Sequence, residues 1–487
     1  MEIKQYKNIE YSKVMLSELG GKMRIDSEFY SPEYIRVTEN VVKKNCTSLS
    51  KLNAIIKHPS EIKREYDDVG VTFLRTQNLR PLNVDFSSSE VFISIEDAEK
   101  LKSNILIDGD VLITRTGANF GDCATFLNQR EKVIASSHIL VLRSNKINSV
   151  YLTVFLNTLY GRKLIDKGQY GGLQPEIAPS YLYTLPIPFP TNSFQQKIEQ
   201  LVVKAYEQKQ ASENLYREAE NQLLSELGLD KWKPQTRKFS LYGVDFEVEN
   251  SHSLINVSQM LRSDRLDSEY WESKYLDLYE ILLQKPYTLL GSEVVLKSGF
   301  PFQSKEFIES SETETSDEPF IRIRDCKPHY IENDNLTRIS TKYVDSTRAK
   351  KANVNDIVIG MDGIRYFLGS LVSEPAYVNQ RVCHISVKDE SEITPEYALL
   401  IINGLIGQYQ LLRKMTIADT VGHIKNTNVA NLIIPVSKQV KSISQKVRAS
   451  IDNHQSSKKY LEIAKRAVEI YIEQDEDVAE KYILENI

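Results

Sequence analysis

The chain contains 487 residues, of which 41% are hydrophobic and 26% are charged, and these proportions are ordinary for a folded globular protein. Its 61 basic and 66 acidic residues give a net charge of −5, which excludes a strongly basic chain of the kind that binds nucleic acid through charge alone. No apolar run approaches the about 18 residues that a membrane span requires, and residues 1–5 do not open a secretory signal peptide, so we expect a cytoplasmic protein. The four cysteines are widely separated, which predicts neither a disulfide framework nor a zinc site.

The chain is internally duplicated. The sequence RIDSEFY at 24–30 returns as RLDSEYW at 265–271, an offset of 241 residues. Later landmarks return in the same order at an offset of 246 residues: Asp110 as Asp356, Gly117 as Gly363, His138 as His384 and Tyr151 as Tyr397. This period is far longer than the about 20 to 50 residues of a solenoid repeat. Each copy must therefore be a domain with its own core.

Each copy is predicted to be α+β, with its elements in the same order. Short β-rich runs come first, at 71–74, 91–93, 111–114 and 138–142 in the first copy and at 320–323, 357–359 and 382–387 in the second. A helical stretch follows, at 150–167 and 395–414, and a last apolar strand ends at Pro188 or Pro435. Because glycine, asparagine and aspartate interrupt the strands at irregular intervals, a curled mixed sheet is favoured over a βαβ series.

A long helix is predicted after each copy, at 192–227 and at 438–472, from apolar residues spaced three or four apart. Each would span roughly 50 Å at 1.5 Å per residue, so we expect the two to pack against each other as antiparallel helices. The resulting fold is two similar mixed α/β domains separated by two long helices, a dumbbell. The predicted domains are 1–190, the first helix at 191–230, 231–436, and the second helix with an acidic tail at 437–487.

Two motifs connect this organisation to a known family. DVLITRTG at 110–117 and DIVIGMDG at 356–363 are similar to a Gly-Asp-Ile-Leu-(x)3-Gly turn, and LPIPFP at 185–190 followed by QQKI at 195–198 is similar to a proline-rich exit into a helix with a Glu-Gln pair. Over essentially its whole length the chain resembles the DNA-specificity (S) subunit of Type I restriction-modification systems. It departs from the pattern in the second copy, where IPVSKQ at 434–439 keeps one proline, and both copies lack the glutamate.

The resemblance implies a non-enzymatic DNA-binding subunit. Each domain would be a target-recognition domain that reads one half of a split DNA sequence, and the helices would fix the unread gap. Two modification subunits would supply methyltransferase activity and bring S-adenosylmethionine, restriction or translocase subunits could join them, and this chain would bind no cofactor or metal of its own. A spacer of roughly 50 Å exceeds one DNA turn of about 34 Å, as two major-groove approaches require.

Candidate DNA-binding residues lie in loops at equivalent places in the two copies. Base recognition uses forked donors and amides, such as arginine for guanine and asparagine or glutamine for adenine. The candidates for base contact are Arg75, Gln77, Asn78, Arg115, Asn119, Gln169, Tyr170 and Gln174 in the first copy and Arg322, Arg324, Arg365, Tyr366, His423, Lys425 and Asn426 in the second. The candidates for phosphate contact are Lys63, Arg64, Lys350 and Lys351.

Several of these residues also have a structural interpretation. Arg75 and Arg322 could pair with carboxylates at a sheet edge, and His138 and His384 are interpreted as structural imidazoles between hydrophobic neighbours. The acidic residues of the 24–30 and 265–271 motifs are interpreted as N-terminal caps of the following helices in preference to catalytic acids.

Catalysis by the chain itself is not predicted. The sequence contains no Asn-Pro-Pro-Tyr or Asp-Pro-Pro-Tyr motif, no Gly-x-Gly-x-x-Gly and no P-loop. The alternative is a non-enzymatic scaffold subunit of another defence complex, in which a coiled-coil spacer joins two protein-binding heads. Salt-dependent binding of DNA would separate the two hypotheses.

Overall fold

The structure is a computed structural model. It describes residues 1–487 except 7–8, 20–23, 64, 87–89, 128–131, 173, 234–236, 242–243, 249–254, 256, 264, 309–316, 333–335, 364 and 419–420. The chain forms two compact units, one of Met1–Gln208 with Gln455–Ile487 and the other of Lys209–His454. No helix among the described residues is long and apolar enough to cross a membrane.

The first unit contains the first copy of the repeat. Its strands are Glu2–Tyr6, Ile9–Lys13, Cys46–Ser48, Ile55–Lys57, Val71–Leu74, Leu79–Arg80, Asn83–Val84, Phe92–Ile93, Asp110–Thr114, Cys123–Phe126, Val133–Ala135, Ile139–Arg143, Gln169–Tyr170, Glu176–Ile177 and Pro186–Pro188. Its helices before the first long helix are Pro32–Val42, Ile95–Lys100, Ser149–Leu156, Leu159–Lys167 and Pro179–Leu182, with short 3₁₀ turns at Leu16–Glu18, Thr76–Asn78 and Lys102–Asn104.

The core of the first unit forms around an antiparallel sheet. Its strands lie in the order Cys123–Phe126, Asp110–Thr114, Ile139–Arg143 and Ile55–Lys57. All of Asp110–Thr114 is buried, because the helix Ser149–Leu156 covers one face and the apolar side chains of a smaller sheet cover the other. In that smaller sheet Val133–Ala135 runs parallel to Val71–Leu74, which makes the fold a mixed one as predicted.

The second unit contains the second copy of the repeat. Its strands are Arg237–Leu241, Val244–Val248, Tyr287–Leu289, Val294–Ser298, Phe307–Ile308, Glu318–Ile321, Thr337–Ile339, Lys351–Ala352, Ile357–Gly360, Asp362–Gly363, Gly369–Leu371, Ala376–Val378, Val382–Val387, Thr416–Ala418, Val421–His423 and Ile433–Pro435. Its helices before the second long helix are Val257–Ser263, Ser273–Leu283, Leu290–Glu293, Thr341–Asp345, Pro395–Asn403, Leu405–Lys414 and Asn426–Ala430, with 3₁₀ turns at Ser268–Trp271, Ser304–Glu306 and Ile323–Asp325.

The two copies share their sheet register. Leu112 pairs with Val141 in the first unit, and Val358 pairs with His384 in the second. His384 is therefore equivalent to Val141 and not to His138, and the sequence-based pairing of the two histidines is wrong by three residues. The connection before the strand Val382–Val387 is three residues shorter than the connection before the equivalent strand Ile139–Arg143 of the first copy. The connection after the strand is correspondingly longer in the second copy, so the later landmarks return to the original offset.

The predicted helices 150–167 and 395–414 are each broken into two. The first half ends near Leu156 or Asn403, and the second half begins with Leu159 or Leu405. A glycine lies at the crossing in both copies, since a Cβ on Gly161 would overlap the Phe155 carbonyl and one on Gly407 would overlap the Ile401 carbonyl. The absence of a Cβ at this glycine lets the two half-helices approach closely where they cross.

The two long helices are Asn192–Leu227 and Val440–Glu473. In the first unit the ring of Phe194 lies 5.7 Å from that of Tyr471, and Lys204 lies over Tyr460. In the second unit Ser212 lies beside Ser450, with 3.1 Å between their hydroxyls, and Gln222 contacts Ser442. The helices therefore run antiparallel within both units, and the α+β fold class with two long helices is confirmed. The acidic tail forms a further helix, Glu476–Asn486, capped by Asp475.

Candidate functional site

The first candidate loop in the first unit is the turn at Arg75–Asn78. The Asn78 carboxamide accepts a hydrogen bond from the Arg75 amide at 3.0 Å and donates one to the Asp85 carbonyl at 3.0 Å. Asn78 is 2% exposed, so its side chain supports the turn and does not reach the surface. Gln77 is exposed, and the Arg75 guanidinium lies 5.2 Å from the ring of Tyr66.

The second unit has the same turn. The Asp325 carboxylate accepts a hydrogen bond from the Arg322 amide at 2.8 Å, and the Arg322 guanidinium lies 5.6 Å from the ring of Phe307. Arg324 is exposed and donates to the Thr337 hydroxyl at 3.0 Å. The residue three positions after the arginine thus stabilises the turn in both copies, and the arginine packs on an aromatic ring.

The glycine turn of the first unit lies next to this loop. Gly117 and Gly121 have φ values of 107° and 77°, which favour glycine. Between them the Asn119 carboxamide donates to the Thr76 carbonyl at 3.1 Å, and so it connects the two loops. Before the turn, Arg115 Nη1 lies 3.3 Å from Glu176 Oε2.

A hairpin late in the first copy lies beside the glycine turn. The two turns and this hairpin together form one edge of the first unit. Gln169–Tyr170 pairs with Glu176–Ile177, and the Tyr170 hydroxyl donates to Glu176 Oε2 at 3.1 Å. Burial, together with the hydrogen bond to the Glu176 carboxylate, raises the pKa of Tyr170, although the side chain remains 46% exposed. The structure therefore brings Arg115, Asn119 and Tyr170 to one edge, with Gln174 exposed in the hairpin loop.

The corresponding edge of the second unit has different chemistry. His423 Nδ1 lies 2.6 Å from Asp362 Oδ1, and Arg381 Nη1 lies 3.6 Å from Asp362 Oδ2. Arg365 and Tyr366 are exposed and line a cleft of about 650 Å³ with residues of the 265–271 motif. Lys425 is exposed, whereas the Asn426 carboxamide donates to the Ser298 hydroxyl at 2.8 Å.

A family model identifies the first copy. Residues 46–220 match the model described as the Type I restriction modification DNA specificity domain. The first copy contains a Type I DNA specificity domain. This match includes the Arg75 turn, the glycine turn, the late hairpin and most of the first long helix.

Comparison with whole proteins gives weaker similarity. No curated protein is significantly similar to the chain. Among solved structures, the S subunit of a Type I restriction-modification system from M. genitalium is 13% identical, with 91% of this chain and 96% of that chain covered and a TM-score of 0.38. The HsdS subunit from Thermoanaerobacter tengcongensis is 13% identical, with 89% and 97% covered and a TM-score of 0.28.

The candidate phosphate contacts differ in their surroundings. In the specificity domain Lys63 is exposed in a groove with the carboxylates of Glu65, Asp67 and Asp97. In the second unit Lys350 is exposed, whereas Lys351 pairs with Glu318 at 2.7 Å. The fourth candidate, Arg64, lies outside the described residues.

The aspartates of the repeated motif bind the arginine of the same motif, and each also lies at the start of a short turn. The Asp26 carboxylate accepts a hydrogen bond from the Phe29 amide at 3.0 Å, and Asp267 precedes the 3₁₀ turn Ser268–Trp271. In the first unit Arg24 Nη2 donates to Asp26 at 3.3 Å and to the Gln169 carbonyl at 2.5 Å. In the second unit Arg265 Nη2 lies 2.5 Å from Asp267 and donates to the Met415 carbonyl at 2.9 Å. The helix Pro32–Val42 is capped by Ser31 instead. The capping interpretation is therefore wrong for the α-helices Pro32–Val42 and Ser273–Leu283, whose N-cap residues are Ser31 and Glu272. Each arginine also joins its motif to the late part of the same copy.

The described part of the chain contains no group of three histidine, cysteine, aspartate or glutamate residues that could hold a metal ion. The buried His384 contacts the Asp356 carboxylate at 2.7 Å, as a structural imidazole would. His138, by contrast, is exposed.

Proposed function

We propose that the chain is the DNA-specificity subunit of a Type I-like restriction-modification complex and that it reads a bipartite target. The specificity-domain match in residues 46–220 is the observation that carries the proposal. The second unit supports it, because it repeats the same strands, broken helix and turn in a copy that the family model does not cover. One domain would read each half of the target.

The difference between the loops favours two different half-sites. Arg115, Asn119 and Tyr170 lie at one edge of the first unit, and the equivalent edge of the second presents His423 and Arg381 around Asp362. Donor and acceptor patterns decide which base edge a side chain recognises in the major groove. Two domains with the same backbone framework but different donor side chains would recognise different base sequences.

Catalysis is assigned to partner subunits. Two modification subunits that bind S-adenosylmethionine would dock on the two copies, and restriction or translocase subunits could join them. The chain would supply recognition only, with no cofactor of its own. The repeated Arg24 and Arg265 motifs, together with the long helices, are the proposed docking surfaces, because they occur once in each copy.

Mapping of methylated adenines across the genome, with and without this gene, tests the proposal. We expect one split motif to lose methylation when the gene is deleted. Binding of duplex DNA by the purified chain should also weaken as salt increases, because phosphate contacts release counterions. A chain that binds no DNA at low salt and leaves the methylated positions unchanged would instead favour a scaffold that joins two protein-binding heads.

A further inference from the structure

The glycine-turn strand meets the late hairpin at an equivalent position in the two units. Thr116 forms a β-bridge with Glu176 in the first unit, and Asp362 pairs with His423 in the second. The neighbouring backbone bonds agree, since the Ile177 amide donates to the Arg115 carbonyl at 3.2 Å and the Ile424 amide donates to the Met361 carbonyl at 2.9 Å. Glu176 is therefore equivalent to His423, and Thr116 to Asp362.

The carboxylate at this position lies on a different element in the two units. In the first, the hairpin carries the acid, Glu176, and the turn strand carries the cation, Arg115. In the second, the turn strand carries the acid, Asp362, and the hairpin carries His423 at 2.6 Å. Arg381, from the adjacent connection, lies 3.6 Å from the other oxygen of Asp362. Each edge thus has one carboxylate that contacts two side chains with donor groups, since Glu176 also accepts from Tyr170.

We propose that Glu176 and Asp362 are positioning residues for base recognition. Glu176 orients Arg115 and Tyr170, and Asp362 orients His423 and Arg381, before DNA arrives. This inference rests on the proposed function and adds to it the residues that set specificity within each domain. A carboxylate would repel a DNA phosphate, so these two residues do not act as phosphate contacts. Their proposed role is to hold the neighbouring donor side chains in a fixed orientation.

The geometry of Arg115 supports this role. Its guanidinium has five donors in a rigid fork, and Glu176 contacts only the Nη1 side. The Arg115 side chain is 19% exposed, so a limited part of the fork faces solvent. An arginine held in one rotamer loses less conformational entropy on binding than a free one. The donors other than the buried Nε can then meet guanine O6 and N7 without a search through rotamers.

The different placement of the carboxylate would also let one framework give two specificities. Arg115 on the turn strand and His423 on the hairpin would approach a DNA groove from different strands of the same edge. The two domains would therefore place their donors over different base positions, even where their backbones are alike. Loop length need not change for this to occur.

A selection experiment with the full-length chain tests the proposal. Wild type, Glu176→Gln and Asp362→Asn are each used to select duplexes from a library of randomised sequence. Glu99→Gln is the matched control, because Glu99 forms an exposed pair with Lys132 at 3.1 Å and lies in a different part of the first unit. Thermal unfolding of every variant verifies that it is folded.

We expect Glu176→Gln to lose base preference in one half of the motif, with discrimination reduced about tenfold. Asp362→Asn should degrade only the other half, and Glu99→Gln should select the wild-type motif. Affinity of Glu176→Gln for a non-matching duplex should stay the same or rise, because an acid has been removed from a DNA-facing edge. A purely structural role would lower specific and non-specific binding together.

A double substitution separates positioning from independent contacts. Once Arg115 is replaced by methionine, Glu176→Gln should cause no further loss at the base pair that Arg115 reads. Additive losses would overturn the proposal, as would an unchanged Glu176→Gln motif or equal damage to both halves. A folded wild-type chain that selects no motif would overturn the proposed function itself, and this assignment with it.

Discussion

The Tyr151 hydroxyl donates a hydrogen bond to the Pro188 carbonyl at 3.0 Å, and its counterpart Tyr397 donates to the Pro435 carbonyl at 2.9 Å. Both tyrosines are fully buried, and each joins the central helix of its copy to the strand that leads into a long helix. The same hydrogen bond therefore ties the helix to the exit strand at an equivalent point in both copies.

Replacement of Tyr151 by phenylalanine should lower the free energy of unfolding by about 1 to 3 kcal/mol, because a buried carbonyl loses its donor. Tyr397→Phe is the matched variant and should have a similar effect through the second unit. Chemical unfolding measured by circular dichroism gives both values. Wild-type stability in both variants would mean that water replaces the hydroxyl.

Arg143 holds the aspartate of the glycine-turn motif in the first unit. Its Nη2 donates to the fully buried Asp110 carboxylate at 2.8 Å, and the same carboxylate accepts from the Ile107 amide at 2.9 Å. Arg143→Met should destabilise the protein by about 2 to 3 kcal/mol, below the about 3 to 5 kcal/mol of a fully buried pair, because the Arg143 side chain is 22% exposed. Arg143→Lys keeps the charge without the fork and should recover part of the loss. Equal unfolding midpoints for wild type and Arg143→Met would contradict this.

Lys167 should make stability depend on alkaline pH. Burial, with a smaller effect of the neighbouring Arg24, lowers the pKa of Lys167 from 10.5 to about 8. The unfolded chain therefore binds more protons than the folded one between about pH 8 and pH 10.5, so stability should rise with pH across that window. Lys167→Met should remove this rise, whereas Lys146→Met at an exposed position should keep it. The slope is measured from urea unfolding at several pH values, and an unchanged slope in Lys167→Met would refute the assignment.

The features that the sequence predicted correctly depend on the spacing of apolar residues and on the order of the repeated motifs. The duplication and the long helices were found because apolar spacing and motif order survive many substitutions. The N-terminal hairpins Glu2–Tyr6 with Ile9–Lys13 and Arg237–Leu241 with Val244–Val248 were missed, because their sequences share no motif. They show that the duplication includes the segment before the first repeated motif.

The site residues were harder to predict, because burial and pairing depend on tertiary contacts. Asparagine is a residue type that contacts bases, but the Asn78 carboxamide instead forms hydrogen bonds with the backbone of its own turn. Glu176 was missed, because an isolated glutamate in a short loop has no distinguishing neighbours in sequence. Only the strand register shows that Glu176 and His423 are equivalent. The sequence does not show it, because glutamate and histidine are dissimilar residues.

The isolated chain should neither methylate nor hydrolyse DNA. It should gain methyl transfer only when a modification subunit and S-adenosylmethionine are added, and two copies of that subunit should bind, because each unit carries one arginine motif. Incorporation of labelled methyl groups and the mass of the complex measure both outcomes. Replacement of Arg265 by methionine should weaken the docking of one copy, since this residue joins its motif to the Met415 carbonyl. Methyl transfer by the chain alone would refute the division of labour.

Phosphate contacts and base contacts should separate in binding assays. Lys350→Ala removes an exposed cation, so it should weaken binding to all sequences alike and reduce the salt slope by about 1. Lys63→Ala should have a smaller effect of the same kind, because the carboxylates of Glu65, Asp67 and Asp97 lie in the same groove. Lys351→Ala should have a smaller effect, because Glu318 already neutralises that charge. Titrations at several salt concentrations, on one matching and one unrelated duplex, measure the slope. A loss confined to the matching duplex would reassign these lysines to base recognition.

Substitutions in the loops that carry the candidate base contacts should each reduce recognition of only one half of the target. Arg115 and Asn119 lie at the edge of the first unit, and Arg365 and Tyr366 are exposed in the second. Alanine at the first pair should cost about 1 to 3 kcal/mol of discrimination for each lost bidentate contact, in one half of the target only. Because Asn119 also connects its loop to the Thr76 carbonyl, the single variant Arg115→Ala is needed to separate a lost contact from a displaced loop. Alanine at Arg365 and Tyr366 should affect the other half. Oligonucleotides altered separately in each half provide the measurement, and equal losses in both halves from either pair would mean that these loops are structural turns and that other residues read the bases.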